Sequence, residues 1–218
     1  MNDIAGKIAP RRRRKEARPQ ELTAAALALF TEKGFAATRL DEVAARAGVS
    51  KGTLYLYFDS KEALFKAVIR EGVVPAIAEG EALLDEHDDP VVLLRAILFG
   101  WWERIGSTEL GGVVKLMMSE AGNFPEVAAY YHGAVIQRGL GLIRAAVVRG
   151  IARGAFRPVD LDAIGTILIA PLLHLALWRH SFGACCGPAT SIDRYLESYF
   201  DLILNGLGVV RDEPGGAS

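Results

Sequence analysis

The sequence predicts an all-α protein of about nine helices, with a small N-terminal helix-turn-helix domain followed by a larger C-terminal helical bundle. Apolar residues recur three and four positions apart in successive segments, and no stretch shows the apolar/polar alternation of a half-buried strand. Capping residues or prolines precede most of these segments, and glycines follow many of them. With 218 residues, 51% of them hydrophobic, the chain can bury a sizeable core.

Charge divides the chain in a similar way. Residues 1–70 contain 14 Lys and Arg against 8 Asp and Glu, a net charge of +6, whereas the remainder contains 11 and 18, a net charge of −7. A basic part joined to an acidic part is typical of a nucleic-acid-binding unit on a regulatory or structural body. We expect four parts: a disordered basic arm (1–17), a DNA-binding domain (18–71), a second domain (72–210) and a disordered tail (211–218).

The arm contains the basic run RRRRK at residues 11–15 and very few apolar side chains, a composition that cannot bury enough surface to fold. Bound to DNA, this run would follow phosphates or enter a flanking minor groove; the alternative is an ordinary solvated charge run. Pro19 suits the first position of a helix, and apolar residues then repeat with helical spacing until Lys33 and Gly34 end it.

Residues 38–61 carry the pattern around which the rest is organised. A short helix with a narrow apolar stripe, begun by a capping box of Thr38 and Asp41, is stopped by Gly48. Ser50 caps a second helix over residues 51–58, in which Leu54 and Phe58 form the inner ridge. Two short helices at a tight turn form a helix-turn-helix, whose second helix enters the DNA major groove.

The remaining helices follow from caps and breakers. Asp59 or Ser60 begins a helix to about residue 71, and Pro75 predicts a kink or break in the segment that continues to residue 86. Asp89 and Pro90 begin the next helix, which runs to about residue 105. A short helix over residues 113–121 precedes a long one from about residue 125 to residue 152.

The last two helices are the most apolar. Asp160 or Asp162 begins the penultimate helix, which reaches about residue 182 and bends at Pro171, and Ser191 caps the final one. The penultimate helix is apolar nearly all round, so its outer face needs a partner. Its apolar run is shorter than the roughly 20 residues that span a bilayer, and no secretory signal pattern follows Met1, so we expect a cytoplasmic protein without membrane contact.

Residues 21–69, which include GVSKGTLYLYF followed by SKEALF, closely resemble the tetracycline-repressor (TetR) family of transcriptional regulators. The resemblance is weaker after residue 72, where KLMMSEAGNFPEVAAYYH at residues 115–132 is similar to a subset of these regulators. It implies a homodimeric repressor that binds a near-palindromic operator and is released by a small, largely apolar effector bound in residues 72–210. It also implies dimerisation there, which we expect through the last two long helices.

The resemblance also implies DNA contacts, when the family's positions are carried over one by one: Thr38, Ser50, Lys51, Gly52, Thr53, Tyr55, Tyr57 and Lys61. Lys51 can donate to a phosphate or to guanine, and Thr53 offers a methyl group to thymine. Thr38 and Lys61 begin flanking helices, where they would position the protein on phosphates. Tyr55 follows the inward Leu54, so a half-buried core role is its alternative.

For the effector pocket, the C-terminal domain offers side chains that combine apolar bulk with a few polar atoms. The candidates are Trp101, Trp102, Met117, Met118, Phe124, Tyr131, His174 and Trp178. Core packing is the alternative for each. Since two adjacent Trp residues cannot both face one core, at least one of Trp101 and Trp102 meets a pocket, a partner or solvent.

Other functions have less support. Cys185 and Cys186 suggest a redox-responsive regulator, but a disulfide between adjacent cysteines is strained, and bland loop thiols are the alternative. The four His residues and these cysteines show no metal-ligand spacing, and no catalytic motif is present, so the sequence predicts neither cofactor nor enzyme activity. An activator of the same fold, a helical enzyme with a DNA-binding domain and a non-specific DNA binder remain as alternatives.

Overall fold

The structure is a computed structural model that describes residues 11–187 and 190–208, with side chains from residue 19 onward. Within these ranges it is all-helical, with nine continuous helices when π-helical turns are counted with the helices that they join. An isolated antiparallel bridge pairs Phe156 with Gly208, and the described residues form no β-sheet. The predicted fold class is confirmed. The chain divides into two compact units, a head that ends at Glu71 and a body that begins at Gly72.

The head contains α1 (Arg11–Lys33), α2 (Leu40–Arg46), α3 (Lys51–Tyr55) and α4 (Lys61–Val68). We expected α1 to begin at Pro19, but the described helix begins at Arg11, because Arg, Lys, Glu and Ala all favour helix. Residues 1–10 of the predicted arm and 209–218, which include the predicted tail, lie outside the described residues. The helix predicted over residues 51–58 ends at Tyr55, and a turn carries the chain to Phe58.

An aromatic cluster forms the centre of the head. The rings of Phe30, Phe35 and Phe65 lie with their centroids 5.2 Å apart in each pair. All three are at least 98% buried, as are Val43 of α2 and Leu54 of α3. Since the aromatic rings come from α1, the α1–α2 loop and α4, the helix-turn-helix rests on a rigid support.

The body begins within a π-helical turn, Ile69–Val73, that joins α4 to α5 (Val74–Glu86). Of the kink or break that we expected at Pro75, no break occurs, and a π-helical turn lies directly before this residue. Proline has no N–H for the usual helical bond, and a π turn directly before it changes the local hydrogen-bond pattern, so the helical segments follow one another without a loop.

The other body helices are α6 (Pro90–Trp101), α7 (Gly111–Glu120), α8 (Pro125–Tyr131), α9 (Arg138–Ala152), α10 (Ile164–Ser181) and α11 (Ile192–Leu207). Further π turns follow α6 (Trp102–Gly106) and join α8 to α9 (His132–Gln137). Caps occur as the sequence predicts: Asp89 Oδ1 accepts from the Val91 N–H at 2.7 Å, and Ser191 Oγ accepts from the Arg194 N–H at 3.4 Å.

The core of the body lies among α6, α9, α10 and α11. Leu93, Leu98, Ala146 and Leu172 are completely buried there. Hydroxyl groups of α11 also bond to carbonyls of α10 near Pro171, where the missing proline N–H disturbs the helical ladder: Tyr195 donates to the Pro171 oxygen and Tyr199 to the Leu168 oxygen. These bonds hold α10 and α11 together.

Candidate DNA-binding helix and effector cavity

The turn between α2 and α3 depends on Gly48, whose φ of 68° lies in the left-handed region. This conformation lets the Val49 N–H bond back to the Ala44 oxygen at 2.9 Å, which closes the end of α2. Ser50 then caps α3, since its Oγ accepts from the Thr53 N–H at 3.1 Å. Leu54 is completely buried, so the position of α3 on the head is fixed.

The side chains around Leu54 face outward. Lys51 and Gly52 are exposed, Thr53 is partly exposed, and Tyr55 is 48% exposed. The half-buried core role that we left open for Tyr55 is therefore not what the structure shows. The Lys51 ammonium lies 6.0 Å from the centroid of the Tyr55 ring, so a positive donor and an aromatic donor lie side by side on one short helix. Ser50 is exposed and Tyr57 partly exposed.

Thr38 and Lys61 do not present their polar atoms to solvent as we expected. Thr38 is 2% exposed, and its hydroxyl lies 3.2 Å from the Leu29 oxygen and 2.8 Å from the Gly34 oxygen, where it closes the end of α1. It also does not begin the predicted capping box: Arg39 is the residue before α2, and its N–H donates to the Glu42 carboxylate at 3.3 Å.

The Lys61 ammonium donates to three backbone oxygens, those of Phe35 at 2.7 Å, Ala36 at 3.0 Å and Thr38 at 3.1 Å. An ammonium group has three N–H donors, so all three are used inside the head. A direct phosphate contact by this side chain would require these bonds to break.

The sequence pattern gave no reason to select Leu56, which is 83% exposed directly after α3. An exposed leucine beside Tyr55 can contact a thymine methyl group. Leu56 lies between the buried Leu54 and Phe58, so its outward position becomes visible only once the burial of those two residues is known.

The body contains an apolar cavity between α5, α6, α9 and α10. Its aliphatic lining includes Ile77, Leu83, Ile97, Leu142 and Ile143. Glycine residues widen it from three helices, at positions 80, 100 and 139. The cavity volume is about 100 Å³. A dry cavity of about 150 Å³ accepts benzene, so a larger ligand would have to move lining side chains.

Few polar groups reach this cavity. Tyr131, at the end of α8, is 8% exposed, and burial raises the pKa of its phenol to about 12. Arg104 lines the cavity as well, and its Nε donates to the Glu79 carboxylate at 2.6 Å. Both residues of this ion pair are substantially exposed, so the charges lie on the solvent side.

Two of the π turns border the cavity. The turn after α6 contributes Arg104, and the turn between α8 and α9 contributes Val135 and Ile136. A π turn adds a residue to the helical register and redirects the side chains around it, which is why such turns are frequent at functional sites.

Comparison with known proteins identifies the family. The model for bacterial regulatory proteins of the tetR family matches residues 22–68, and the model for the tetracyclin repressor-like C-terminal domain matches residues 93–182. The chain belongs to the TetR family of transcriptional regulators. The first match covers α2, α3 and α4 and about half of α1, and the second covers most of the cavity-bearing part of the body.

Relatives share either the head or the whole fold. The transcriptional regulator RutR of Escherichia coli is 48% identical over 61 residues, which span 28% of this chain and 29% of RutR. The transcriptional repressor KstR2 of Mycolicibacterium smegmatis is 24% identical over 87% of this chain and 90% of KstR2. The structure of FadR from Bacillus subtilis in complex with stearoyl-CoA has a TM-score of 0.74 at 18% identity, covering 86% of this chain and 98% of FadR.

In this TetR-family chain, the structure places Trp101 and Tyr131 at the cavity and the other six predicted pocket residues elsewhere. Trp102 and Met117 are buried in packing, because their helical positions face other helices. Met118 is 62% exposed, and Phe124 is partly exposed before α8. None of these four residues lines the cavity.

Neither His174 nor Trp178 lines this cavity, whereas Trp178 lines a second pocket together with Leu175 and Ile192. His174 and Trp178 lie one turn apart on α10, with ring centroids 6.2 Å apart, and His174 is exposed rather than buried within the helix as its apolar neighbours suggested. The Trp178 ring in turn lies 5.0 Å from that of Phe182, which is 52% exposed. These residues form a ridge on the outer side of α10.

The two cysteines form a hydrogen-bonded pair in the loop after α10. Cys185 and Cys186 are exposed, and the Cys186 thiol donates to the Cys185 sulfur at 3.1 Å. This bond raises the pKa of the Cys186 thiol, which lowers the fraction of reactive thiolate. Among the described residues, no cluster of three or more His, Cys, Asp and Glu could hold a metal ion, and no helix has the length and apolar character to cross a membrane.

Proposed function

We propose that this chain is a homodimeric repressor that binds a near-palindromic operator through α3 and leaves it when a small apolar effector binds the cavity. The observation that carries the proposal is α3 itself: capped by Ser50 and anchored by Leu54, it presents Lys51 and Tyr55 outward. The names of two relatives, the transcriptional regulator RutR and the transcriptional repressor KstR2, support the proposal. Because operator DNA lies in the bacterial cytoplasm, we place the regulator there.

The exposed chemistry of α3 suits major-groove recognition. Lys51 can donate to guanine or to a phosphate, and Thr53 and Leu56 supply methyl groups for thymine. Gly52 leaves the first turn open, since a Cβ placed there would meet only Ser50 Oγ, at 3.9 Å. Thr38 and Lys61 act by holding the head together, since their polar atoms bond within it.

A second copy of the chain is the proposed partner of α10 and α11. Ile167 on α10 and Phe182, the residue that follows α10, are 61% and 52% exposed, and Leu202 on α11 is 72% exposed. Three large apolar side chains on two adjacent helices would contact water in a monomer, whereas an isologous four-helix interface would cover them. Dimerisation also matches the two-fold symmetry of a palindromic operator.

The cavity is the proposed effector site. The cavity has a volume of only about 100 Å³. An effector larger than a single small ring must therefore separate α5, α6 and α9. A ligand shifts DNA binding only if it binds the DNA-incompetent form more tightly than the DNA-competent one. The complex of FadR with stearoyl-CoA supports a ligand site in a body of this fold, though it does not choose the effector of this chain.

The experiment is operator selection from random duplex DNA, followed by fluorescence anisotropy of the selected site and a scrambled site. We expect the wild type to prefer the selected site about a thousandfold or more. Lys51→Ala should weaken that binding about tenfold, whereas Arg144→Ala, which removes an exposed positive charge from the body, should leave it unchanged. Equal affinity for selected and scrambled DNA would refute the proposal.

A further inference from the structure

Tyr131 differs from Tyr195 and Tyr199, two tyrosine residues of α11. The Tyr199 hydroxyl donates to the Leu168 oxygen, and the Tyr195 hydroxyl donates to the Pro171 oxygen. Tyr131 is only 8% exposed. Its hydroxyl nevertheless has no hydrogen-bond partner in the part of the chain that the structure describes. It lines the apolar cavity.

Because the Tyr131 hydroxyl has no partner within the described chain, a ligand can bond to it without breaking an existing protein hydrogen bond. Burial also keeps the phenol protonated, since its pKa is raised to about 12, so the group is a hydrogen-bond donor throughout the physiological pH range. The donor is therefore available to a molecule inside the cavity.

The rest of the lining restricts which molecule that is. The lining side chains near Tyr131 in sequence, Val135 and Ile136, are aliphatic, and Arg104 is the one charged residue among those that line the cavity. Arg104 is occupied by Glu79 on the solvent side. A buried carboxylate or ammonium group would therefore lack a counter-charge, which is costly, whereas a neutral oxygen would not.

We propose that the Tyr131 hydroxyl is the polar anchor of the cavity, and that the cavity takes neutral apolar molecules with a carbonyl or ether oxygen in preference to carboxylates. The donor bonds that oxygen, and the aliphatic and glycine surfaces bind the apolar remainder. This inference rests on the proposed function in one respect, namely that the cavity is the effector site.

The test uses three small aromatic probes of similar size, titrated into the full chain by calorimetry. Acetophenone carries a neutral acceptor, ethylbenzene has no acceptor, and benzoate is anionic. The variants are Tyr131→Phe, which removes only the hydroxyl, and the matched control Tyr130→Phe, since Tyr130 does not line the cavity. All three probes are single substituted rings of similar size, so each requires a similar small widening of the cavity of about 100 Å³.

We expect acetophenone to bind the wild type and Tyr130→Phe about fivefold more tightly than ethylbenzene, and benzoate to bind most weakly. In Tyr131→Phe the preference for acetophenone should disappear, while ethylbenzene binds as before. Retention of the preference in Tyr131→Phe, benzoate binding as tight as that of acetophenone, or no acetophenone binding at millimolar concentration would each overturn the proposal.

Stability supplies a readout that a merely structural role would not give. Because the hydroxyl has no partner in the empty protein, Tyr131→Phe should unfold at the same or a higher urea concentration than the wild type. Tyr199→Phe, which removes a hydroxyl bonded to the Leu168 oxygen, should unfold at a lower one. If Tyr131→Phe lowered the urea midpoint as much as Tyr199→Phe does, the hydroxyl of Tyr131 would have a structural role, and the proposal that it is the polar anchor would be contradicted.

Operator release separates this inference from the proposed function. If acetophenone binds through Tyr131 but no cavity ligand changes operator affinity, the proposal that Tyr131 is the polar anchor is supported and the proposal of effector-controlled repression is refuted. If cavity ligands release operator equally from wild type and Tyr131→Phe, effector-controlled repression is supported and the proposal that Tyr131 is the polar anchor is refuted.

Discussion

The Lys61 ammonium donates a 2.7 Å hydrogen bond to the backbone oxygen of Phe35 and also lies 4.7 Å from the centroid of the Phe35 ring. Two further carbonyl oxygens, of Ala36 and Thr38, complete its hydrogen bonds. The first residue of α4 thus closes the loop between α1 and α2. A lysine that family resemblance assigns to DNA is, in this structure, a positioning residue for the helix-turn-helix.

Replacing Lys61 with Met should therefore destabilise the chain. Three backbone acceptors lose a charged donor while most of the aliphatic stem is kept, so we expect a loss of about 1–3 kcal/mol in the free energy of unfolding. Urea unfolding followed by circular dichroism measures this loss. Lys51→Met is the control, since Lys51 is exposed, and it should change stability by less than about 0.5 kcal/mol. Equal stability of Lys61→Met and wild type would rule out this role.

Gly48→Ala should weaken the turn for a purely conformational reason. A Cβ at position 48 would meet no atom within 4 Å, but φ is 68°, a region that costs an L-residue roughly 1–2 kcal/mol. Gly122→Ala is the matched control, because position 122 is equally open and has no positive φ. We expect a lower thermal midpoint for Gly48→Ala alone. A similar midpoint in both variants would show that the left-handed turn is not required.

Acid should destabilise the body through His180. Its Nε2 lies 3.0 Å from the Thr108 oxygen, and burial lowers the pKa of the imidazole below the ordinary 6.5. Because the folded-state pKa is the lower one, the unfolded chain binds more protons as the pH falls, and stability is lost below about pH 6.5.

Urea midpoints at pH 7.5 and 5.0 measure this dependence. We expect the decrease at pH 5.0 to be smaller in His180→Gln than in the wild type, since glutamine does not titrate. His132→Gln is the control because His132 is exposed, and it should keep the full decrease. An unchanged decrease in His180→Gln would assign the pH dependence to other groups.

Leu202→Glu should dissociate the proposed dimer. Leu202 is 72% exposed on α11, and a carboxylate at this position would be buried without a counter-charge in an apolar two-fold interface. Sedimentation velocity at micromolar concentration should show a monomer for Leu202→Glu and a dimer for the wild type. Val92→Glu changes another exposed apolar residue, at 47% exposure on α6, and should remain dimeric. A wild-type monomer at that concentration would reject the interface.

Local signals predicted the helix-turn-helix well. Gly48, Ser50 and Leu54 act within a few residues of their own positions, so a stop signal, a cap and an apolar ridge are readable without tertiary information. Thr38 and Lys61 were harder, because the acceptors of their hydrogen bonds come from the end of α1 and the loop after it. A cap pattern cannot show that a polar side chain turns inward to a distant carbonyl.

The sequence predicted that the body has an apolar pocket, but it predicted few of the residues that line the cavity. The adjacent Trp101 and Trp102 indicated that one of them leaves the core, and Trp101 lines the cavity. The glycine residues at positions 80, 100 and 139 gave no sign that they meet, because they belong to three helices whose packing the sequence does not state. Aromatic and sulfur residues drew attention instead, but Met118 and His174 are exposed.

Operator release by cavity ligands is the most direct test of effector control. Gly139 lies on α9 where a Cβ would stand 3.8 Å from Ile77 Cδ1, so leucine there would fill the cavity; Gly141, two residues away, is open and does not line it. Anisotropy of operator-bound protein, titrated with a panel of small apolar compounds, compares Gly139→Leu with Gly141→Leu. We predict that compounds which release wild type and Gly141→Leu from the operator release Gly139→Leu only at concentrations at least about tenfold higher. Release of all three proteins at the same concentrations would contradict control through the cavity.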